Sequence, residues 1–434
     1  MQTLSQLISG ELKGSSKIKL ACGLKEFPRE LFELEDTLEL LDLSGNELSE
    51  LPSDFGRFKK LKIAFFSNNQ FTVFPKVLAD CPSLTMIGFK SNQISVFPED
   101  SLPLNTQWLI LTNNQIEILP KSLGENEYLQ KVAFAGNKIS ELPEEMQNCK
   151  RLELLRISAN RLTLLPNWLL HLPRLSWLAF SGNPCSEKIE NEVVLDEIEW
   201  NQLEIKEQLG EGASGIISKA ILKSKENQEV AIKIFKGEVT SDGLPEDELQ
   251  TCISAGKHSN LVPLLAKIKS HSEGKEGLVM ELISSDYTNL GNPPSFETCT
   301  RDVLNPDVYY SVNQVLTVLK SVASVGAHLH SRGILHGDLY AHNTMVNQEG
   351  NALLGDFGAA TIYKIKSENA PLLERLDVRA FGCLIDDLLG QIRTDEVDKD
   401  EYMSLNELRK KCMLEEVENR LGFEEIVVFM LSLV

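Results

Sequence analysis

Asn46, Asn69, Asn92, Asn114, Asn137, Asn160 and Asn183 recur every 22 or 23 residues through the first half of the 434-residue chain. All but the last are followed six residues later by proline, and each lies in one frame of apolar positions, as in Leu38-Glu-Leu-Leu-Asp-Leu-Ser-Gly-Asn-Glu-Leu48 and Leu152-Glu-Leu-Leu-Arg-Ile-Ser-Ala-Asn-Arg-Leu162. A period of this length restricts the fold severely, because a short strand with a return segment cannot bury its apolar side alone. Neighbouring copies must stack, so that the leucine positions merge into one continuous core. Each asparagine then turns inward at the end of its strand, where its amide pairs the backbone of the bend in successive coils. The seven asparagines are therefore read as structural and not catalytic. Degenerate copies, Ile18 to Pro28 in front and Pro184 onward behind, are expected to cap the ends.

The frame L-x-x-L-x-L-x-x-N-x-L resembles that of the leucine-rich repeat family, and the resemblance implies an α/β solenoid over residues 1–190. Side chains alternate along a strand, so the positions between core leucines face the concave surface. The first of them reads Leu40, Ile63, Met86, Trp108, Lys131, Leu154 and Trp177, with Phe65 and Ile110 beside it. So apolar a row is either covered in part by its neighbours or a docking face. On the second reading Ile63, Phe65, Met86, Trp108, Ile110 and Trp177 receive a protein substrate or regulator, or the chain's own second half.

Between Pro184 and Trp200 the chain is acidic but keeps Val193, Val194, Leu195 and Ile198, which reads as a capping element and short connector over residues 191–199. The formal net charge of −20 argues against nucleic acid or an anionic membrane as the main partner, since both reward clustered Lys and Arg. The first residues lack the basic flank and apolar core of a signal peptide, and no apolar run approaches the roughly 18 residues of a membrane span. A cytoplasmic protein is expected. Its eight cysteines include no CxxC pair. Cys81 and Cys149 share one phase of the repeat but lie three repeats apart, roughly 14 Å at a strand spacing of about 4.8 Å, beyond disulfide reach. Reduced, buried thiols are expected.

The second half carries four motifs in order: Gly210-Glu-Gly-Ala-Ser-Gly215, Val230-Ala-Ile-Lys233, His336-Gly-Asp-Leu-Tyr-Ala-His-Asn343 and Asp356-Phe-Gly358. The glycine-rich stretch alone also suits dinucleotide folds, but here strand-like Gln202-Leu-Glu-Ile-Lys precedes it and strand-like Ile216-Ile-Ser-Lys-Ala follows, where a Rossmann turn would open a helix. The ordered set is similar to the protein-kinase signature over residues 200–434. That resemblance implies an α+β bilobal domain using ATP and Mg2+. Gly210, Gly212 and Gly215 would let the backbone approach the phosphates, and Ile217 would cover the adenine. Ala231, Met280 as gatekeeper, the backbone of Glu281 and Ile283, and Met345 complete the nucleotide set. Lys233 would grip the α- and β-phosphates, held by Glu248 or, second in order, Glu246. Asp338 would take or orient the proton of the substrate hydroxyl, Asn343 and Asp356 would hold the metal, and Phe357 and His336 would pack in the regulatory spine.

The sequence also departs from that family. Gly337 stands where an arginine normally follows the catalytic histidine, so no activation-loop phosphate is clamped there. Tyr340 replaces the lysine two residues after Asp338, and His342 is either a compensating donor or a structural histidine. Only 20 residues separate Asp356 from Asp377, with no APE motif, which leaves little chain for a peptide-docking platform. Asp377, in Asp377-Val-Arg-Ala-Phe-Gly382, would brace the catalytic loop, and Arg420 lacks its usual salt-bridge partner. The expectation is a protein kinase acting on Ser/Thr or Tyr hydroxyls with partner selection by the repeats. The alternatives are a small-molecule phosphotransferase of the aminoglycoside type and a nucleotide-binding pseudokinase scaffold.

Overall fold

The structure, a computed structural model, describes residues 2–187, 195–212, 214–223, 227–237 and 239–433. Val193 and Val194 of the expected capping element, and Ala213 of the glycine-rich stretch, lie outside the described residues. The chain forms two compact units, Met1–Leu172 with Asn183–Cys185, and Pro173–Gly182 with Ser186–Val434. Residues 173–182 thus group with the second unit, although their sequence frame is that of the repeats.

In the first unit a short helix, α1 (Leu4–Ile8), precedes everything the period marks. Thr3 caps it: the Thr3 hydroxyl accepts from Gln6 N, and Gln6 Oε1 accepts from Thr3 N at 3.0 Å. Seven three-residue strands follow: β1 (Lys17–Lys19), β2 (Leu40–Asp42), β3 (Ile63–Phe65), β4 (Met86–Gly88), β5 (Trp108–Ile110), β6 (Lys131–Ala133) and β7 (Leu154–Arg156). They pair parallel in chain order, with Leu40, Ile63, Met86, Trp108, Lys131 and Leu154 in register. β1 pairs fully with β2, so the front copy is a working repeat and α1 lies ahead of it. Pro75, Pro120 and Pro143 each stand immediately before a 3-10 turn, and Pro166 before the single-turn helix α2 (Asn167–Leu170). A fixed φ near −65° and a missing donor suit proline to that place, where the amide has no partner within the turn.

The asparagine amides join coil to coil. Asn114 Nδ2 donates to Phe89 O (2.9 Å) of the preceding coil and Leu111 O (3.0 Å) of its own, while Oδ1 accepts from Ile94 N (3.0 Å). Asn46, Asn69, Asn92, Asn137 and Asn160 repeat the arrangement with their own neighbours. Between these bonds runs an apolar core in which phenylalanines alternate with the leucines; the Phe66 and Phe89 rings lie 5.0 Å apart.

The second unit begins with β8 (Trp177–Ala179), β9 (Glu197–Glu199), β10 (Leu203–Glu211), β11 (Gly215–Leu222), β12 (Gln228–Phe235), helix α3 (Pro245–Ala255), β13 (Leu264–Lys269) and β14 (Gly277–Glu281). A six-stranded sheet runs in the order β10-β11-β12-β14-β13-β9. Its last strand lies within the expected capping element and connector: Glu197–Glu199 pairs parallel to β13 and Ile198 sits in the sheet's core with Leu203, Ala220, Val230, Ile232 and Val279. Next come β15 (Thr288–Asn289), α4 (Val312–His330), β16 (Ile334–Leu335), β17 (Thr344–Val346), β18 (Ala352–Leu354), β19 (Thr361–Ile362), α5 (Ala370–Leu389), α6 (Asp400–Cys412) and α7 (Phe423–Leu431). The α4 helix packs on α7 through Gly326, where an added Cβ would lie 2.5 Å from the Phe423 ring.

Two expectations change. All eight cysteines are free thiols, but Cys22 is exposed and Cys185 and Cys252 are half-buried. Burial pushes the Cys81 and Cys149 thiols up to about 12, which makes them inert as nucleophiles. Met86 and Trp177 are buried, with 6% and 1% exposure, so neither stands in an open docking row. Among the described residues, no helix is long and apolar enough to cross a membrane.

Candidate active site

The glycine-rich stretch is the tip of the β10–β11 hairpin, closed by Gly212 N donating to Gly215 O (2.9 Å). Lys236 Nζ staples the tip, bonding Glu211 Oε1 (2.7 Å) and Gly212 O (3.0 Å). The three glycines serve different needs. A Cβ on Gly215 would meet Ile234 O at 2.7 Å, whereas Gly210 and Gly212 have nothing within 4 Å of that position and leave room for a ligand against bare backbone.

Register then sets the floor of the sheet. Ala231 pairs with Met280, and Lys233 lies between Ile217 on β11 and Leu278 on β14. Ile217, Met280, Ile283 and Met345 are half-buried, and Glu281, exposed, donates its amide to Pro263 O (2.9 Å). Lys233 Nζ forms an ion pair with Glu248 Oε1 of α3, and the two side chains are 12% and 2% exposed. Glu246, the second candidate, stands in the first turn of the same helix. Burial alone lowers the Lys233 ammonium, but the carboxylates of Glu248 and Asp356 outweigh it and hold the pKa above the ordinary lysine value.

The segment after β16 is held by one buried carboxylate. Asp377, on α5, accepts from His336 N (2.7 Å) and Gly337 N (3.0 Å), and His330 Nε2 lies 2.9 Å from it. Asn343 Nδ2 donates to Asp338 O (2.9 Å) and Asp338 Oδ2 (2.7 Å), which ties the two ends of the loop together. Gly355 N donates to Asn343 O (3.0 Å) and brings Asp356 beside it. Asp356 has φ +55°, a left-handed backbone that Asp tolerates better than most residues, and its Oδ1 accepts from Gly358 N (3.0 Å). The Phe357 ring lies 5.4 Å from His336 and joins a buried cluster with Leu261, Leu329 and Leu354, against which Cys252 of α3 packs.

The sites of departure have partners that motif reading does not supply. His342 Nδ1 lies 2.7 Å from Asp302 Oδ1, and its amide donates to Asp302 Oδ2 (2.9 Å). Burial lowers the imidazole's pKa, but the Asp302 hydrogen bond and the charges of Asp302, Asp338 and Asp356 hold it above the ordinary histidine value. Tyr340 is buried and stacks on Trp177, with ring centres 4.4 Å apart and planes 7° from parallel. Trp177 Nε1 donates to Leu339 O (3.2 Å). Gly337 has φ +68°, and a Cβ there would meet Leu178 O at 2.4 Å and Ala359 O at 3.0 Å. Arg420 donates to Leu414 O (2.9 Å), Arg375 O (3.1 Å) and Pro173 O (2.7 Å), and burial beside Arg379 lowers it to about 9. Asp302 carries no motif, and Trp177, read from the sequence only as a docking position, meets Tyr340 instead. Gly337 was the one available signal, since glycine in place of a long side chain marks a close backbone approach.

Residues 203–382 match the protein kinase domain family, and residues 37–58 match the leucine rich repeat family. Over 163 residues the chain is 31% identical to cyclin-dependent kinase 2 of Caenorhabditis elegans, covering 37% of this chain and 41% of that protein. Over 199 residues it is 26% identical to fibroblast growth factor receptor 1 of Xenopus laevis, covering 42% of this chain and 24% of the receptor. The chain therefore spans less than half the length of these relatives. It combines leucine-rich repeat sequence with a protein kinase domain.

Proposed function

We propose that the second unit is an ATP-dependent protein kinase that transfers the γ-phosphoryl group to hydroxyls of serine, threonine or tyrosine, and that the repeats form a solenoid that selects the partner. One observation carries the reading: the Lys233–Glu248 pair, the Asp338–Asn343 pair and Asp356 converge, with Asp356 acting electrostatically on both Lys233 and His342. In this reading Lys233 orients the phosphates, and the open backbone at Gly210 and Gly212 lies over them. Asp338 takes the hydroxyl proton as the substrate oxygen bonds to the γ-phosphorus, and the bond to the bridging oxygen breaks with its electron pair leaving on ADP. Asp377 and His330 keep the loop in place, which suits a reaction governed by positioning and charge neutralisation.

Asn343 and Asp356 suit Mg2+, a hard cation that takes few protein oxygens and shares phosphate oxygens. With Asn343 Nδ2 engaged by Asp338, the amide oxygen remains for the cation. When bound, the cation neutralises phosphate charge. On the first unit, half-buried Ile63, Phe65, Trp108 and Ile110 remain the docking candidates, with Lys131 Nζ 4.2 Å over the Trp108 ring. Tyr340 favours the pseudokinase reading, because it contributes no cation where the family places one; the carboxylates around His342 act in the other direction by holding its pKa above the ordinary histidine value.

Incubation of the full chain with labelled ATP and magnesium, alone and with generic protein substrates, separates these readings. Label on protein that disappears in Asp338→Asn is the expected result. Nucleotide binding without transfer would favour the scaffold, and transfer to small molecules alone would favour the metabolite kinase.

A further inference from the structure

The catalytic loop of this chain lacks two cations that its family resemblance leads one to expect, at Gly337 and Tyr340, and both positions meet the same ten-residue segment of the second unit. Leu178 O sits where a side chain on Gly337 would start, 2.4 Å from the ideal Cβ. Trp177 lies flat on Tyr340 at 4.4 Å and donates to the carbonyl of Leu339. Phe180 N donates to the Thr361 hydroxyl (3.2 Å) in β19, and Ser176 Oγ accepts from Arg379 Nη1 (2.6 Å) in α5. Residues 176–180 thus touch the loop holding Asp338, the chain just beyond Phe357, and the helix carrying Asp377. Trp177 is 1% exposed and Tyr340 5%, so the stack is dry.

Resting on the kinase reading above, we propose that Trp177 is a positioning residue for phosphoryl transfer: its indole fixes Leu339 and Tyr340, and through them the spacing between Asp338 and Asn343. Leu339 and Tyr340 are the first two of four residues between Asp338 and Asn343; the chain there is anchored at Asn343 by Asp338, at His342 by Asp302 and at the Tyr340 carbonyl by Thr344 Oγ1 (2.9 Å), and Trp177 adds the contacts to Leu339 O and to the Tyr340 ring. A buried aromatic stack with an added hydrogen bond is a rigid contact. Because catalysis depends on reacting atoms being held to a fraction of an ångström, loosening this contact acts on the transfer step and not on nucleotide affinity, which Lys233 and the glycine hairpin govern. The same segment also explains how the loop keeps its shape with no arginine at 337 to gather a phosphate: the brace comes from the chain itself.

The test compares the wild-type full chain with Trp177→Phe, which keeps a flat ring, and Trp177→Leu, which does not, in steady-state transfer from labelled ATP. Expected are a kcat at least tenfold lower for Trp177→Leu with the KM for ATP within twofold of wild type, and rescue by Trp177→Phe to within about threefold. A Trp177→Leu kcat within twofold of wild type overturns the proposal, as does a Phe variant that falls as far as the Leu variant. A parallel loss of nucleotide binding in Trp177→Leu overturns it too. Should Trp177→Leu fail to fold by circular dichroism, Tyr340→Leu removes the stack from the other side: a tenfold loss in kcat at unchanged KM supports the proposal, and an unchanged kcat overturns it. A wild-type chain with no transfer at all overturns the kinase reading itself, and this inference with it.

Discussion

The two compact units differ in the buried polarity that organises them, although Asp42, Glu153 and Arg156 are buried in the first as well. In the repeats, the polar groups that recur through the interior are neutral amides, each serving the backbone of its own coil and the one before it. In the second unit the interior holds ionisable side chains: Lys233 with Glu248, Asp377 with His330, Asp302 with His342, and Arg420 among backbone carbonyls. Neutral amides are cheap to bury once paired, whereas ions carry a desolvation penalty that pairing offsets only in part. A region that only needs shape can therefore be built by repetition. The second unit, on the proposed reading a handler of phosphate, depends on unique contacts between residues far apart in sequence.

That contrast yields an ordered set of effects. Lys233→Met is expected to be the most severe change, because it removes the proposed phosphate ligand and strands the buried Glu248 carboxylate. Transfer should fall below a tenth of wild type, a barrier increase of at least about 1.4 kcal/mol, and the second unit should lose about 3–5 kcal/mol of stability. Asp356→Asn, which keeps the hydrogen-bonding shape, should lose transfer while melting stays unchanged. Calorimetry and rate assays on the pair would break the comparison if Lys233→Met left stability untouched.

Gly337→Ala comes next. Its Cβ falls against Leu178 O, and its backbone is left-handed, so about 2–5 kcal/mol should be lost from the second unit only. Asn114→Leu should cost about 1–3 kcal/mol, confined to the repeats, because it abandons Phe89 O, Leu111 O and Ile94 N. A thermal scan in which Asn114→Leu shifted the nucleotide-stabilised transition would contradict the independence of the two interiors.

The smallest effect depends on pH. The His342 pKa is raised in the folded state, so the stability its pair with Asp302 contributes is complete below the unfolded value near 6.5 and is lost as pH rises through the folded value. The melting gap between wild type and His342→Asn should be widest near pH 6 and close toward pH 9; a gap that grows with pH would mean the imidazole is buried neutral.

How far each region is readable from sequence follows the same division. In the repeats, strand, bend and proline-led turn all lie within one period, so Asn114 or Pro120 can be placed from its own neighbours. The nucleotide motifs are likewise contiguous, and Lys233 and Asp356 announce themselves. Partnerships across long separations do not. Trp177 occupies a surface position of the repeat frame, yet its ring stacks on a residue 163 positions later, and no local period encodes that. Asp302 lies in a stretch without motif, and α1 is too short to display a helical period. Ile198 stands out as apolar in an acidic stretch, but composition does not say which strand it joins; sheet pairing with β13 decides its place.

The most direct test of the comparison concerns residues 173–182, whose sequence frame is that of the repeats and which group with the second unit. The Phe180 amide, which donates to Thr361 Oγ1, reports on that allegiance through hydrogen exchange in the full chain. Exchange at Phe180 should accelerate in Gly337→Ala and stay at the wild-type rate in Asn114→Leu. The reverse pattern, acceleration with the repeats destabilised and none with the catalytic loop disturbed, would return residues 173–182 to the repeat array and remove the brace from the active site.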